Sequence, residues 1–226
     1  MTPYYTTRSI PERIEHNERL KCDVPGCPKT RYRVNRYCAT HESRYRDTGN
    51  PQGRIIRPKE YAYEKARVSE LINKNHAHPG IQSALRWLKK WLDDACLGYP
   101  VSAQAELQRL QDAGIDPLEI LKECCALWLL SKWQPRLLPT DEDLTVMLSV
   151  AVFRLAPRKI VRKYIDGTVY RDRAGKRVRR EFGNHIRANI GVLILNVCQE
   201  VERQEYRQYH WKNDLKTPFP SEPENT

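Results

Sequence analysis

No stretch of this sequence approaches the ~20 consecutive apolar residues that a membrane span requires, so no membrane partner is expected. Its opening, MTPYYTTRSIPERIEH, lacks the basic start and apolar core of a secretory signal. The chain has no Gly-rich Walker loop, no G-x-S-x-G elbow and no internal repeat, which removes the commonest nucleotide-hydrolysing, esterase and solenoid readings. What remains is a soluble chain expected in the cytoplasm, near the nucleoid of a host cell. Its seven cysteines are an odd number. Cys96, Cys124, Cys125 and Cys198 fall in apolar helical patterns, where cysteine acts as a small buried hydrophobe. With no export signal, metal binding by the other three is favoured over a disulfide framework.

The formal net charge is +11 and it is segregated. Residues 1–59 carry +7 and residues 154–187 carry +9, while 60–153 and 188–226 carry −3 and −2. Two basic blocks flanking a mildly acidic, apolar middle suit a polyanionic partner, because each phosphate contact releases condensed counterions. Nucleic acid is the expected partner, with DNA favoured over RNA.

The expected fold class is mainly α: a small N-terminal zinc-finger module, then a helical bundle, with a basic β-hairpin inserted before a long C-terminal helix. The expected spans are a zinc-binding basic module over 1–58, a helical bundle over 59–156, a basic hairpin over 157–183, a helix packing on the bundle over 184–212 and a disordered tail over 213–226. In the bundle, Ile81, Leu85, Leu88, Leu92 and Ala95 form one stripe with Trp91 beside it. Asp116 followed by Pro117 is a strong helix start, and the nearly all-round apolar run after it reads as the central helix. Thr140 or Asp141 opens the next helix, with acidic residues in its first turn where the dipole favours them. In KIVRKYIDGTVYRDRAGKRVRREF, two β-branched, arginine-rich segments flank Asp166-Gly167, a strong hairpin signal, and Ala174-Gly175 offers a second turn.

The chemistry-bearing stretch is CDVPGCPKTRYRVNRYCATHESRYRDTGNPQG, residues 22–53. Zinc needs four donors placed tetrahedrally, usually as two close pairs. Cys22 and Cys27 make one pair, bridged by a Pro-Gly turn, and Cys38 and His41 make the other. Four protein ligands close the site, so the one Zn2+ ion expected here is structural rather than catalytic. Around the ligands stand Lys29, Arg31, Arg33, Arg36, Arg44, Tyr45, Arg46, Arg54 and Arg57. Arginine forks grip phosphate and tyrosine can stack on bases. Tyr37, next to Cys38, reads instead as packing on the metal site. The second block supplies Arg158, Lys159, Arg162, Lys163, Arg171, Arg173, Lys176, Arg177, Arg179 and Arg180 as further contacts, with a solvated arginine ribbon or pairing with the acidic middle as the alternative.

These residues resemble the short zinc modules of phage and other mobile-element proteins, including the zinc-finger part of some HNH-type endonucleases. The shared pattern is C-x4-C, a short basic segment, C-x2-H, then aromatic and arginine residues and a T-G-(D/N)-P turn. Cys22, Cys27, Cys38, His41, Arg44, Tyr45, Arg46 and Thr48-Gly49-Asn50-Pro51 match it over about 30 residues, with departures at Arg36, where glycine is usual, and Glu42, where an aromatic is usual. The resemblance implies a nucleic-acid-associated protein and says nothing about residues 60–226.

Two other classes compete with non-catalytic binding. A nuclease of the HNH type needs a histidine-led ββα site; of the spare histidines His16, His76, His78, His185 and His210, those in NKNHAHPG and FGNHIRANI stand beside asparagine, but neither stretch lies in that context. An adaptor would use the tryptophans Trp87, Trp91, Trp128 and Trp133 to dock a protein partner, provided that Trp87 or Trp133 is exposed. The reading is therefore a DNA-binding accessory or regulatory protein of a phage or mobile element, with RNA binding a further alternative. The module is expected to fold separately from the bundle, so that Cys38→Ser should unfold it alone.

Overall fold

The computed structural model describes residues 9–94, 101–158, 160–163, 169–171 and 174–213. Eight helices are described, with one short antiparallel strand pair before the last. Helix α1 spans Ile10–Glu18 and α2 Ala39–Thr48. Five helices then build the bundle: α3 Ala62–Lys74, α4 Pro79–Asp93, α5 Val101–Asp112, α6 Pro117–Trp133 and α7 Asp141–Leu155. Helix α8, Lys176–Asn213, closes it.

The helix starts follow local chemistry. Asp116 caps α6 by accepting from the Leu118 N–H, with Pro117 in the first turn. Thr140 caps α7 through a bond from the Asp143 N–H to its hydroxyl. Helix α6 is the central element: Ile120, Leu121, Cys124, Cys125, Leu127, Leu129 and Leu130 are all buried. Of its tryptophans, Trp128 is buried and Trp133 is half-buried.

Helices α7 and α8 approach closely at Gly183. A Cβ there would lie 2.7 Å from the Thr145 carbonyl carbon and closer still to its oxygen, so glycine is what lets the two backbones meet. Polar groups inside the bundle are paired: Glu123, nearly buried, accepts from Tyr61 Oη at 2.6 Å and Lys65 Nζ at 2.7 Å.

The region after Pro157 differs from its expected form. Strands β1, Ile160–Lys163, and β2, Val169–Arg171, pair antiparallel. The Asp166-Gly167 turn, Lys159 and Arg173 lie outside the described residues, as do Cys96 and the tail beyond Asn213. Ala174-Gly175 leads into a helix: α8 begins at Lys176, within the span assigned to the hairpin and ahead of the helix start expected at 184. The reason is the apolar stripe Val178, Phe182, Ile186, Ile190 and Ile194, spaced by four, which the bundle buries. Lys176, Arg177, Arg179 and Arg180 therefore sit on the first turns of a helix.

The boundary near residue 58 is also less sharp than expected. Ile56 is fully buried in the bundle core, its N–H points to Met147 Sδ at 3.4 Å, and its carbonyl accepts from Arg154 Nη1 at 2.5 Å.

Candidate metal centre and its basic surroundings

Two local structures bring the four donors together. The first is a tight knuckle. Cys27 N–H bonds to the Val24 carbonyl at 3.1 Å across Pro25-Gly26, and Gly26 has φ 76°. Proline followed by a left-handed glycine is the type II turn, and it turns the chain from Cys22 back toward Cys27. A bridge between Lys21 and Thr30, with Cys22 N–H bonded to the Lys29 carbonyl at 2.9 Å, closes the loop. The second is the start of α2. Cys38 is its N-cap residue and His41 lies one turn on, so the two side chains share a face.

The donor atoms converge. His41 Nδ1 lies 3.4 Å from Cys22 Sγ and 3.5 Å from Cys38 Sγ, and Cys27 Sγ is 4.0 Å from Cys38 Sγ. All four donor atoms fall within 4.8 Å of one another. A tetrahedral ion with metal–sulfur bonds of about 2.3 Å and metal–nitrogen bonds of about 2.0 Å holds its ligand atoms about 3.5–3.8 Å apart, so the cluster has the dimensions to hold one metal ion. Cys22 and Cys38 are buried, and Val24 and Tyr37 pack beside them. The Cys38 N–H points at Cys22 Sγ at 3.3 Å. Burial works to raise the Cys22 and Cys38 thiols, but backbone N–H donors and the neighbouring ligand side chains outweigh it and shift both down. At Cys27 the Lys29 backbone group lowers the thiol, yet desolvation and the two adjacent sulfurs outweigh it and leave it raised. Three thiolates so close repel one another, and a cation among them relieves that repulsion.

Among the described residues, this is the one group in which three or more histidine, cysteine or carboxylate donors converge. The histidines weighed for a nuclease are dispersed. His78 caps α4, accepting from the Gly80 N–H at 3.1 Å, and the His185 ring sits 5.4 and 5.7 Å from those of Trp87 and Trp91. The His210 side chain lies outside the described residues. Neither Trp87 nor Trp133 is exposed: both are half-buried against the core, so the condition set for a tryptophan docking face is not met.

The sequence-assigned cations divide into two groups. Many are engaged within the fold. Asp23 takes both Arg31 and Arg36, the latter at 2.8 Å, and those guanidiniums, Arg36 foremost, hold its carboxyl below the ordinary range against the opposing effect of desolvation. Arg31 Nε also reaches the Lys21 carbonyl at 3.1 Å. Arg46 pairs with Glu42 at 3.6 Å, Arg54 with Glu60, Arg177 with Glu181 at 2.8 Å and Arg180 with Glu142. Arg179 is buried and donates to the Asp47 carbonyl at 2.6 Å, and the Lys176 ammonium lies 4.1 Å from the Tyr45 ring centre. Arg158 is half-buried and lies beside Glu106 and Arg109, and it too has a partner. The side chains of Arg162, Lys163 and Arg171 lie outside the described residues. Lys29, Arg33, Arg44 and Arg57 are exposed, and none makes a side-chain salt bridge among the described residues, although Glu60 accepts from the Arg57 N–H at 2.8 Å and feels the Arg57 charge.

The Thr48-Gly49-Asn50-Pro51 turn plays a part that the sequence reading missed. Gly49 ends α2 in the left-handed region at φ 86°. Thr48 is buried, and its hydroxyl accepts from the Asn50 N–H while lying 2.9 and 2.8 Å from the Arg44 and Asn50 carbonyls, either of which can take its one proton. Asn50 Nδ2 then donates to both oxygens of Asp143, at 3.2 and 3.0 Å, in the first turn of α7. With Arg179 on Asp47, this fastens the segment that carries the Cys3His cluster to the α7–α8 pair. A Ser or Thr three residues before an Asp at a helix start was legible, but the asparagine that completes the joint lies 93 residues away.

Comparison of the chain with protein-family models, with curated proteins and with solved structures returned no match.

Proposed function

We propose that this chain is a nucleic-acid-binding protein whose N-terminal module is held by one structural zinc ion on Cys22, Cys27, Cys38 and His41. Within that class, it acts as a non-catalytic accessory or regulatory factor on DNA, of the kind carried by phages and mobile elements. The observation that carries the reading is the closed Cys3His cluster in a segment whose exposed cations Lys29, Arg33, Arg44 and Arg57 make no side-chain salt bridge among the described residues. Four protein donors leave no coordination position for a substrate water, so the metal would order the module rather than react. Three thiolates and an imidazole form a soft donor set, which favours zinc over magnesium or calcium. The resemblance of residues 22–51 to mobile-element modules supports the same reading.

The test is metal analysis of the purified protein, followed by binding to labelled duplex DNA, single-stranded DNA and RNA across a salt series with magnesium present. One zinc per chain and tight duplex binding with intact products are expected. The logarithmic salt slope should be about −3 to −4, the value for four phosphate contacts on B-DNA. Salt-indifferent binding would refute the reading, and shortened products would replace it with a nuclease.

A further inference from the structure

The loop between the two ligand pairs contains a residue where backbone chemistry and side-chain identity disagree. Asn35 N–H bonds to the Tyr32 carbonyl at 3.0 Å, so Tyr32–Asn35 is a β-turn, and Arg33 at its second position has φ 52°. Arg33 is the one non-glycine residue with positive φ recorded in the described chain. That corner ordinarily takes glycine, asparagine or aspartate, because a β-carbon is strained there. Holding another residue in such a conformation costs on the order of 1–3 kcal/mol and persists only where the surroundings enforce it.

Here they do. Asn17 Nδ2, reaching over from α1, donates to the Arg33 and Asn35 carbonyls at 2.7 Å each. Tyr32 N–H bonds to the Tyr37 carbonyl at 2.9 Å, and Arg31 Nη1 reaches Asn17 Oδ1 at 3.2 Å. The fold thus spends its neighbouring arginines on rigidity and leaves the apex to Arg33 and Val34, both exposed, with Val34 at 52%.

The exposed pair is a cation next to an apolar wedge on a two-residue tip. Of the module's described tyrosines, Tyr37 and Tyr45 are poorly placed to stack on single-stranded bases, since they lie 5.3 Å apart and Tyr45 has Lys176 over its ring; the Arg33 guanidinium rests 5.1 Å from the ring of half-buried Tyr32, at the base of the tip. The minor groove of B-DNA is about 6 Å wide, narrower in A·T tracts, and its negative potential draws in arginine, with apolar residues able to part a base step.

Resting on the nucleic-acid reading above, we infer that the Arg33-Val34 tip enters the minor groove of duplex DNA and favours A·T-rich sequence. The test uses the full-length, metal-loaded protein, with A·T-rich and G·C-rich duplexes of equal length, single-stranded DNA, and a minor-groove-filling polyamide as competitor. Arg33→Gly is the discriminating variant because glycine suits the backbone while removing the side chain. The expected result is a variant at least as heat-stable as the parent, with unchanged zinc content, that binds the A·T-rich duplex about tenfold more weakly, the scale of one charge-assisted contact. Val34→Ser should also weaken binding, and the polyamide should displace the parent protein.

Arg33→Gly binding as tightly as the parent, or duplex binding indifferent to the polyamide, overturns the tip while leaving the nucleic-acid reading intact. Preference for single strands or RNA also overturns the tip. Absence of salt-dependent binding by the parent defeats both.

Discussion

The joint between the cysteine module and the bundle rests on a side chain whose removal has a calculable cost. Asp143 is 3% exposed and accepts from Asn50 Nδ2 twice and from Thr140 Oγ1 at 2.6 Å. Asn50→Ala removes the amide and leaves the carboxylate with the threonine and helix N-terminus alone. A hydrogen bond to a charged group contributes about 1.5–3 kcal/mol, and an under-satisfied buried acceptor costs a similar amount. With about 2 kcal/mol lost, and a shift of about 2–4 °C per kcal/mol for a chain of this size, Tm should fall by roughly 4–8 °C. Asn50→Asp keeps the shape but sets a second carboxylate about 3 Å from the first. It should be worse than alanine at neutral pH. Binding one proton between the two carboxylates removes their repulsion, so the deficit against alanine should shrink as pH falls through the carboxylate range. Differential scanning calorimetry at pH 7 and near pH 4 measures both. An alanine variant as stable as the parent, or an aspartate variant no worse than alanine at pH 7, would show that the joint does not carry the module.

Two further outcomes follow from the packing. Gly183→Ala should force α7 and α8 apart at the Thr145 carbonyl and cost about 1–3 kcal/mol, read as a lower urea midpoint at unchanged slope, whereas an unchanged midpoint would mean that the helices do not meet there. Burial against Trp87 and Trp91 shifts His185 down, so the unfolded chain binds a proton first; stability contributed by the neutral ring is full above the ordinary histidine range and lost as pH falls from there through the lower folded value. His185→Phe should flatten that part of the stability–pH curve, and equal pH dependence in the two proteins would rule the ring out as its source.

The convergence of the four donors was legible because both pairs are local: a Pro-Gly turn joins one and a single helical turn joins the other. Helices α6 and α7 were legible because Asp116-Pro117 and Thr140 announce their starts. The start of α8 was missed for a different reason. Arginine and lysine are good helix formers, yet one β-branched Val178 among them, close after a Gly, imitated a strand. The four-residue spacing from Val178 to Ile194 was the stronger signal. The roles of individual arginines were not legible at all. Nothing in local sequence separates an arginine left at the surface from Arg179, which meets the Asp47 carbonyl 132 residues away.

Asp23 bridges Arg31 and Arg36 and so couples three positions that a reader of the sequence would treat as independent. Replacing Asp23 by a neutral residue would make the chain more positive while slackening the loop those arginines brace. Selection on the charge of this surface cannot act one residue at a time: Asp23, Arg31 and Arg36 are expected to change together or remain together in any lineage that keeps the loop.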